Sequence, residues 1–232
     1  NLTGKLNEGV YARDLILTII GMIGANGANY MAMEFAGDGM KNLTISDRVA
    51  ICNLCVEAGA KTALMEVDDI TLEYLKEHGR EPKYSFKSDD DAKFAKVYDI
   101  DLSTIKPIVA KPHFVDSVVD ATECLGVHID EAFLGSCNNG RIEDLRVGAN
   151  ILKGKKVNPL VRFLVVPASQ AVYEQALQEG LLKIFMDAGA IVMNPNCSVC
   201  WGSCQGVIGE GEVLISTGTR NFKGRAGSPD SF

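Results

Sequence analysis

The stretch Ala190-Ile191-Val192-Met193-Asn194-Pro195-Asn196-Cys197-Ser198-Val199-Cys200-Trp201-Gly202 decides how the chain is read. Four apolar residues make a short buried strand, and a C-x-x-C pair follows it at once. Two thiols three residues apart can grip one metal centre from a single turn. Redox pairs, zinc sites and iron-sulfur sites all use that spacing, so the pair alone leaves all three open.

Working outward, the second half of the chain alternates strand and helix. Glu131 to Gly135 reads as a strand, Arg141 to Lys153 as a helix, and Val161 to Val166 as a strand ended by Pro167. Ser169 to Asp187 reads as helical with a break near Gly180, and Ala190 to Met193 and Val213 to Ser216 as further strands. This order argues for a parallel sheet with helices on both faces. Ligands collect beyond the carboxyl ends of such strands. Cys137 follows one strand, Cys197 a second and Arg220 a third, so three chemically capable elements fall at the same kind of position.

The first half carries fewer signals. Leu15, Ile16, Ile19, Ile20 and Ile23 fall at helical spacing. Tyr30 to Phe35 and Ala63 to Val67 read as strands and Asp68 to Gly79 as a surface helix. Between them lies a helix with Ser46 as its expected N-cap, Asp47 in its first turn and Gly59 as its stop. On that helix Asn53 and Glu57, four apart, are expected to share a face. The Ser-Asp-Asp-Asp run at residues 88–91 reads as solvated. Asp101 to Pro112, with two prolines, reads as a connector, and the domain boundary is placed there: residues 1–104 and 105–232.

Composition removes several function classes. The chain has 232 residues, 23 Lys+Arg and 30 Asp+Glu, for a net charge of −7. No basic stripe stands out, which argues against nucleic acid as a partner. The longest apolar run, Leu15 to Ile20, is far too short to span a bilayer, and the N-terminus has no signal-peptide pattern. Seven cysteines, an odd count in a chain too large to need staples, point to a reducing, cytoplasmic setting. Asn1 is not an initiator methionine, so the chain reads as starting inside a longer protein.

Cys137 lies in the polar turn Gly135-Ser136-Cys137-Asn138-Asn139-Gly140-Arg141 and reads as a ligand. Three thiolates with Cys197 and Cys200 would leave one metal corner free, the open position a Lewis acid needs. Cys52 and Cys55, inside an apolar helix, read as packing. Were that wrong, they could join Cys197 and Cys200 in a structural zinc module. Cys124, in a helical stretch, and Cys204, in a Gly/Ser-rich turn, are read as structural. Arg220 and Arg225 bracket a Gly-containing loop suited to bidentate capture of carboxylates.

These pieces together resemble the large subunit of the aconitase superfamily, in its isopropylmalate isomerase/homoaconitase branch. The resemblance rests on residues 135–141, on Asn196 to Cys200, and on Ser216-Thr217-Gly218-Thr219-Arg220-Asn221-Phe222-Lys223-Gly224-Arg225. Ile51-Cys52-Asn53 with Glu57, and Glu34 to Gly37, add to it. It implies two three-layer α/β/α domains with mainly parallel sheets. It also implies a [4Fe-4S] cluster on Cys137, Cys197 and Cys200, and reversible dehydration of a small hydroxy di- or tricarboxylic acid. The 2-isopropylmalate to 3-isopropylmalate isomerisation of leucine biosynthesis comes first; homocitrate or a methylated malate are the alternatives. Asn53, Glu57, Arg220 and Arg225 match family residues around substrate and cluster. Asn138 stands where the family usually has Thr, and Thr219 where it usually has Asn. The first-domain catalytic motifs and the mobile swivelling domain do not appear in the chain; in this branch a separate small subunit carries the latter. The chain therefore reads as the second and third domains, incomplete at both ends and inactive alone.

Overall fold

The computed structural model describes residues 1–202 and 204–232. The chain is mixed α/β with mainly parallel strands. It forms two compact units, residues 1–109 with 118–121, and residues 110–117 with 122–232.

The first unit begins with β1 (Leu2–Thr3) and α1 (Ala12–Ile23), which buries Leu15, Ile16, Leu17, Ile19 and Ile20. β2 (Ala32–Phe35), α2 (Ile45–Leu54), β3 (Thr62–Met65) and α3 (Asp69–Glu77) follow. β4 (Ile100–Asp101), β5 (Ile108–Ala110) and β6 (Val118–Asp120) complete the series. β1 pairs with β4 and β2 with β3, both parallel, in separate two-stranded pairs.

Two local expectations change here. The N-cap of α2 is Thr44, not Ser46. The Thr44 Oγ1 accepts from the Asp47 N–H at 3.2 Å, and the Asp47 carboxylate accepts from the Thr44 N–H at 2.9 Å. This reciprocal box needs the acid three residues past the cap, a spacing that Thr44 meets and Ser46 does not. Further on, α2 stops at Leu54 and tightens into a 3-10 turn over Cys55–Ala58, ended by Gly59 at φ +84°. A 3-10 turn advances more angle per residue than an α-helix. Asn53 is accordingly exposed while Glu57 is buried, and the two do not share a face.

Arg48 of α2 is 5% exposed. Its Nε donates to the Leu43 carbonyl at 3.2 Å and its Nη2 to the Met40 carbonyl at 2.9 Å. The fork closes on the Asp68 carboxylate at 2.7 and 2.6 Å. Asp68 is also the N-cap of α3, accepting from the Thr71 N–H. Two helices and an irregular segment therefore meet at one guanidinium.

The second unit holds β7 (Glu131–Leu134), α4 (Ile142–Leu152), β8 (Arg162–Val165), α5 (Gln170–Gln178), α6 (Leu181–Ala188), β9 (Ile191–Val192) and β10 (Leu214–Ser216). The strands form one sheet in the order β10-β7-β8-β9, every pair parallel. All four carboxyl ends thus lie along one edge. Helices were expected on both faces, but α4, α5 and α6 pack into a single core with Leu134 and Val165. The opposite side chains, Phe133, Leu164 and Val166, pack against Met193, Val199, Cys200, Leu214 and Ala226, which belong to short strands and turns. Residues 194–213 and 217–232 are rich in glycine and turn-forming residues, so the second face is covered by turns that also carry the site.

At the amino edge, Arg162 joins three strands. Its Nε donates to Glu131 at 2.9 Å, and its two terminal nitrogens donate to both oxygens of Glu212 at 2.8 and 2.7 Å. The Glu131 side chain is fully buried. Burial raises its pKa, whereas the Arg162 guanidinium lowers that of Glu212 to about 2.

Arg162→Met strands a buried carboxylate and is expected to cost about 2 kcal/mol in urea denaturation at pH 7, below the range for fully buried pairs because Arg162 is partly solvated. Adding Glu131→Gln should recover part of that loss, since the amide is not penalised as a buried ion. A carboxylate with a depressed pKa lends stability above its ordinary value and loses it as pH falls through the depressed one. Asp68, held at about 2 first by its Arg48 hydrogen bonds, and Glu212 are the groups in question. Urea midpoints should therefore fall between about pH 4.5 and pH 2, and fall less steeply in Asp68→Asn.

Candidate metal centre

Three turns leave the carboxyl edge of the sheet, and each carries part of the site. The first follows β7. Ser136, Asn138 and Asn139 are buried, while Cys137 between them is exposed. The turn is pressed against β8: a Cβ on Gly135 or Gly140 would run into the Val166 carbonyl. Thr217, just past β10, locks it from the other side. Its Oγ1 accepts from the Gly135 N–H at 3.0 Å and donates to the Gly135 carbonyl at 2.9 Å. The Cys137 thiol is thus held outward by neighbours that are anchored inward.

The second turn follows β9 and is built the same way. Asn196 Oδ1 accepts from the Ser198 N–H at 2.6 Å. Ser198 is fully buried at φ +43°, and Val199 enters the core. The Cys200 N–H closes on the Cys197 carbonyl at 3.0 Å. Cys197 is left exposed and Cys200 half-buried.

The third turn follows β10. Thr219 is buried, with its Oγ1 3.7 Å from the Cys200 Sγ, and it accepts from Arg220 Nη1 at 3.2 Å. Arg225 Nε donates to the Cys200 carbonyl at 2.8 Å. Gly202, at φ +69°, lets this happen: a Cβ there would strike the Arg225 carbonyl.

The electrostatics tie the three turns together. Burial raises the pKa of the Cys197 thiol, and Cys200, Cys137 and Cys204 raise it further, while Arg225 opposes them.

Of the sequence-derived candidates, the structure gathers Cys137, Cys197, Cys200, Arg220 and Arg225 on these turns. Asn53 and Glu57 stand on the first unit. The packing reading of the other C-x-x-C agrees with its surroundings: Cys55 is 1% exposed, donates to the Ile51 carbonyl at 3.3 Å, and has its pKa pushed up to about 12, chiefly by burial. A thiol so buried and so reluctant to ionise is a poor zinc ligand. Sequence reasoning missed Thr217 and Thr219 as the fasteners of the turns.

The donor set distinguishes between kinds of metal centre. Among the described residues, no three His, Cys, Asp or Glu side chains close tightly enough to hold a single metal ion. An iron-sulfur cluster makes a different demand, because each thiolate binds its own iron. Buried polar atoms beside Cys137 also lack protein partners: Asn138 Nδ2 and Asn139 Oδ1. The amide nitrogen of Asn138 is costly to leave unmet, and a cluster's sulfurs accept hydrogen bonds; Asn139 Oδ1 is itself an acceptor and is not met in that way. The Cys137 turn thus presents a thiol and, beside it, one unmet amide donor, a pairing that a sulfur-bearing group would fit.

The second unit is thus a parallel α/β fold with Cys137, Cys197 and Cys200 on turns beyond the carboxyl ends of its sheet. A model of the aconitase family (aconitate hydratase) matches residues 1–126 and 119–231. The probable 3-isopropylmalate dehydratase large subunit of Methanothermobacter thermautotrophicus is 51% identical over 231 residues, covering 100% of this chain and 55% of that protein. The 3-isopropylmalate dehydratase large subunit of Caldicellulosiruptor saccharolyticus is 48% identical, over 99% of this chain and 54% of its own length. The 3-isopropylmalate dehydratase large subunit 2 of Archaeoglobus fulgidus is 47% identical, over 99% and 56%. The chain belongs to the aconitase family. It spans about half the length of the curated relatives it matches.

Thr217→Val keeps the shape of the side chain but leaves a buried Gly135 N–H without its acceptor. The expected cost is about 2 kcal/mol in urea denaturation, with faster amide exchange at residues 135–140 as the local sign.

Proposed function

We propose that this chain is the cluster-bearing part of a hydro-lyase that moves a hydroxyl between neighbouring carbons of a small hydroxy di- or tricarboxylic acid. The observation that carries this reading is the meeting of Cys137, Cys197 and Cys200 with Arg220 and Arg225 on three turns beyond one strand edge. The names of the relatives support 2-isopropylmalate and 3-isopropylmalate as the pair interconverted. Homocitrate and methylated malates are the alternatives within the same chemistry.

Cys137, Cys197 and Cys200 would hold a [4Fe-4S] cluster. When bound, it supplies a Lewis-acid iron that no protein thiolate of these three occupies. The rest of the task falls to side chains. Arg225 spends its Nε on the Cys200 carbonyl, which fixes the direction of its guanidinium and leaves the terminal nitrogens for a substrate carboxylate. Arg220 is steadied through Thr219 and offers a second cation from the same loop. Two directed guanidiniums suit an acid with two carboxylates, and hold its hydroxyl-bearing carbon in one orientation. Asn53 and Glu57 enter the proposal on the family resemblance alone.

The reaction also needs a base to take a proton from the carbon beside the hydroxyl. The relatives are named as large subunits, which supports a small subunit as partner, with a mobile domain that brings the base. Seven free thiols support a reducing, cytoplasmic setting. Among the described residues no helix is long and apolar enough to cross a membrane.

Anaerobic reconstitution should give close to four iron and four acid-labile sulfide per chain with broad visible absorption, and Cys197→Ser should abolish both. In a large subunit of the relatives' full length, paired with its small subunit, 2-isopropylmalate should be converted, and Arg225→Lys should lower kcat/KM by about 100-fold, roughly 3 kcal/mol of lost bidentate contact. A chain that takes up no iron, or that turns over without its partner, would overturn the proposal.

A further inference from the structure

Thr219 is 5% exposed, and its surroundings decide where its hydroxyl proton points. The turn that carries it is held on both sides. Before it, Gly218 runs against the second cysteine turn: a Cβ there would lie 3.7 Å from the Cys200 Cβ. The Gly218 N–H donates to the Ser216 Oγ at 2.8 Å. After it, the Asn221 side-chain amide donates to the carbonyls of Lys111 at 2.8 Å and Ala110 at 3.1 Å. Between these anchors the Thr219 Oγ1 meets Arg220 Nη1 at 3.2 Å and Cys200 Sγ at 3.7 Å. A guanidinium can only donate. The Oγ1 therefore accepts from Arg220, and its own proton is left for the sulfur.

We propose that Thr219 is a positioning residue that tunes the cluster: its hydroxyl donates to the Cys200 thiolate, and Arg220 holds the hydroxyl in that role. The inference rests on the cluster reading above and goes beyond it, because that reading gives Thr219 no part except to steady Arg220. A metal-bound thiolate has no proton of its own and only accepts. The bond from Arg220 polarises the Thr219 O–H and strengthens its donation, as in other chains of hydrogen bonds. Hydrogen bonds to ligating sulfur draw electron density from it and help set a cluster's reduction potential. Here the bond favours the reduced form. It also leaves the iron that faces substrate poorer in electrons, and so a better Lewis acid. The arginine proposed to take a substrate carboxylate thus also acts on the cluster, through one hydroxyl.

Wild-type chain, Thr219→Ser, Thr219→Val and Thr219→Ala are reconstituted anaerobically, with neither acid nor small subunit added. Serine keeps the hydroxyl, valine keeps the volume without it, and alanine loses both. Reduction potentials are read by mediated titration followed by electron paramagnetic resonance. Resonance Raman spectra of the iron–thiolate stretches are recorded in ordinary and deuterated buffer. The valine and alanine variants should move together to lower potential, while serine stays with the wild type. The deuterium shift of the stretches should be smaller in valine and alanine than in the other two. Equal potentials in all four, or a serine variant displaced as far as valine, would show that Thr219 only fastens its turn and would overturn the proposal. Wild-type stretches unmoved by deuterium would overturn it as well, whatever the loading of the variants. Failure of the wild type to take up iron would instead overturn the cluster reading from which the inference starts.

Discussion

The Arg162 fork holds the register on which the second unit depends. Parallel strands share no tight hairpin, so their relative heights must be set by contacts between distant parts of the chain. Glu131 opens β7, Arg162 opens β8 and Glu212 lies just before β10, and one guanidinium joins them. Asp130 adds a bond from its carboxylate to the Val213 N–H at 2.9 Å. With the amino ends level, the carboxyl ends are level too. A slip of one residue would turn Phe133 and Leu164 into the helical core and Leu134 and Val165 out of it. It would also pull Cys137 away from Thr217 and the second cysteine turn.

The site itself is made by a repeated device. A reactive side chain faces outward from a turn whose neighbours are fastened inward. Ser136 and Asn138 flank Cys137, Ser198 and Val199 sit between Cys197 and Cys200, and Thr219 precedes Arg220. The fasteners are hydroxyls and backbone groups, short and stiff enough to fix a turn without large apolar surface. Glycines permit the closeness: Gly135 and Gly140 against Val166, Gly202 against Arg225. Pre-positioning of this kind suits a ligand that binds through several directions at once, because the turns need little reordering.

How much of this the sequence disclosed depended on the length of the signal. The 3.6-residue pattern of α1 and the strand-helix alternation after residue 130 span enough residues for periodicity to speak, and the parallel sheet follows from them. β1 and β4, two residues each, carry no periodicity at all. The face shared by Asn53 and Glu57 was misread because a switch from α to 3-10 geometry leaves no compositional mark. The cysteines and arginines were legible since their chemistry is rare and their offsets from strand ends were regular. Thr217 and Thr219 were not, because their roles arise from contacts across 19 to 82 residues.

The charge pattern gives the last constraint. The chain as a whole is acidic, at −7. The amino edge of the sheet gathers Asp130, Glu131 and Glu212 around a single arginine. The segments that build the site, residues 135–141, 194–206 and 217–227, contain no Asp or Glu at all, but they hold Arg141, Arg220, Lys223 and Arg225. A cationic patch on an acidic body draws anions to one place and repels them elsewhere. Both occupants proposed for that place are anionic: a thiolate-ligated cluster and a dicarboxylate. Their mutual repulsion would have to be offset locally, and Arg225, whose Nε donates to the Cys200 carbonyl, is a cation held beside that place. The separation of charge along the strand axis is therefore part of the site, and the acidic clamp that levels the sheet also keeps competing carboxylates at the far edge from the thiols.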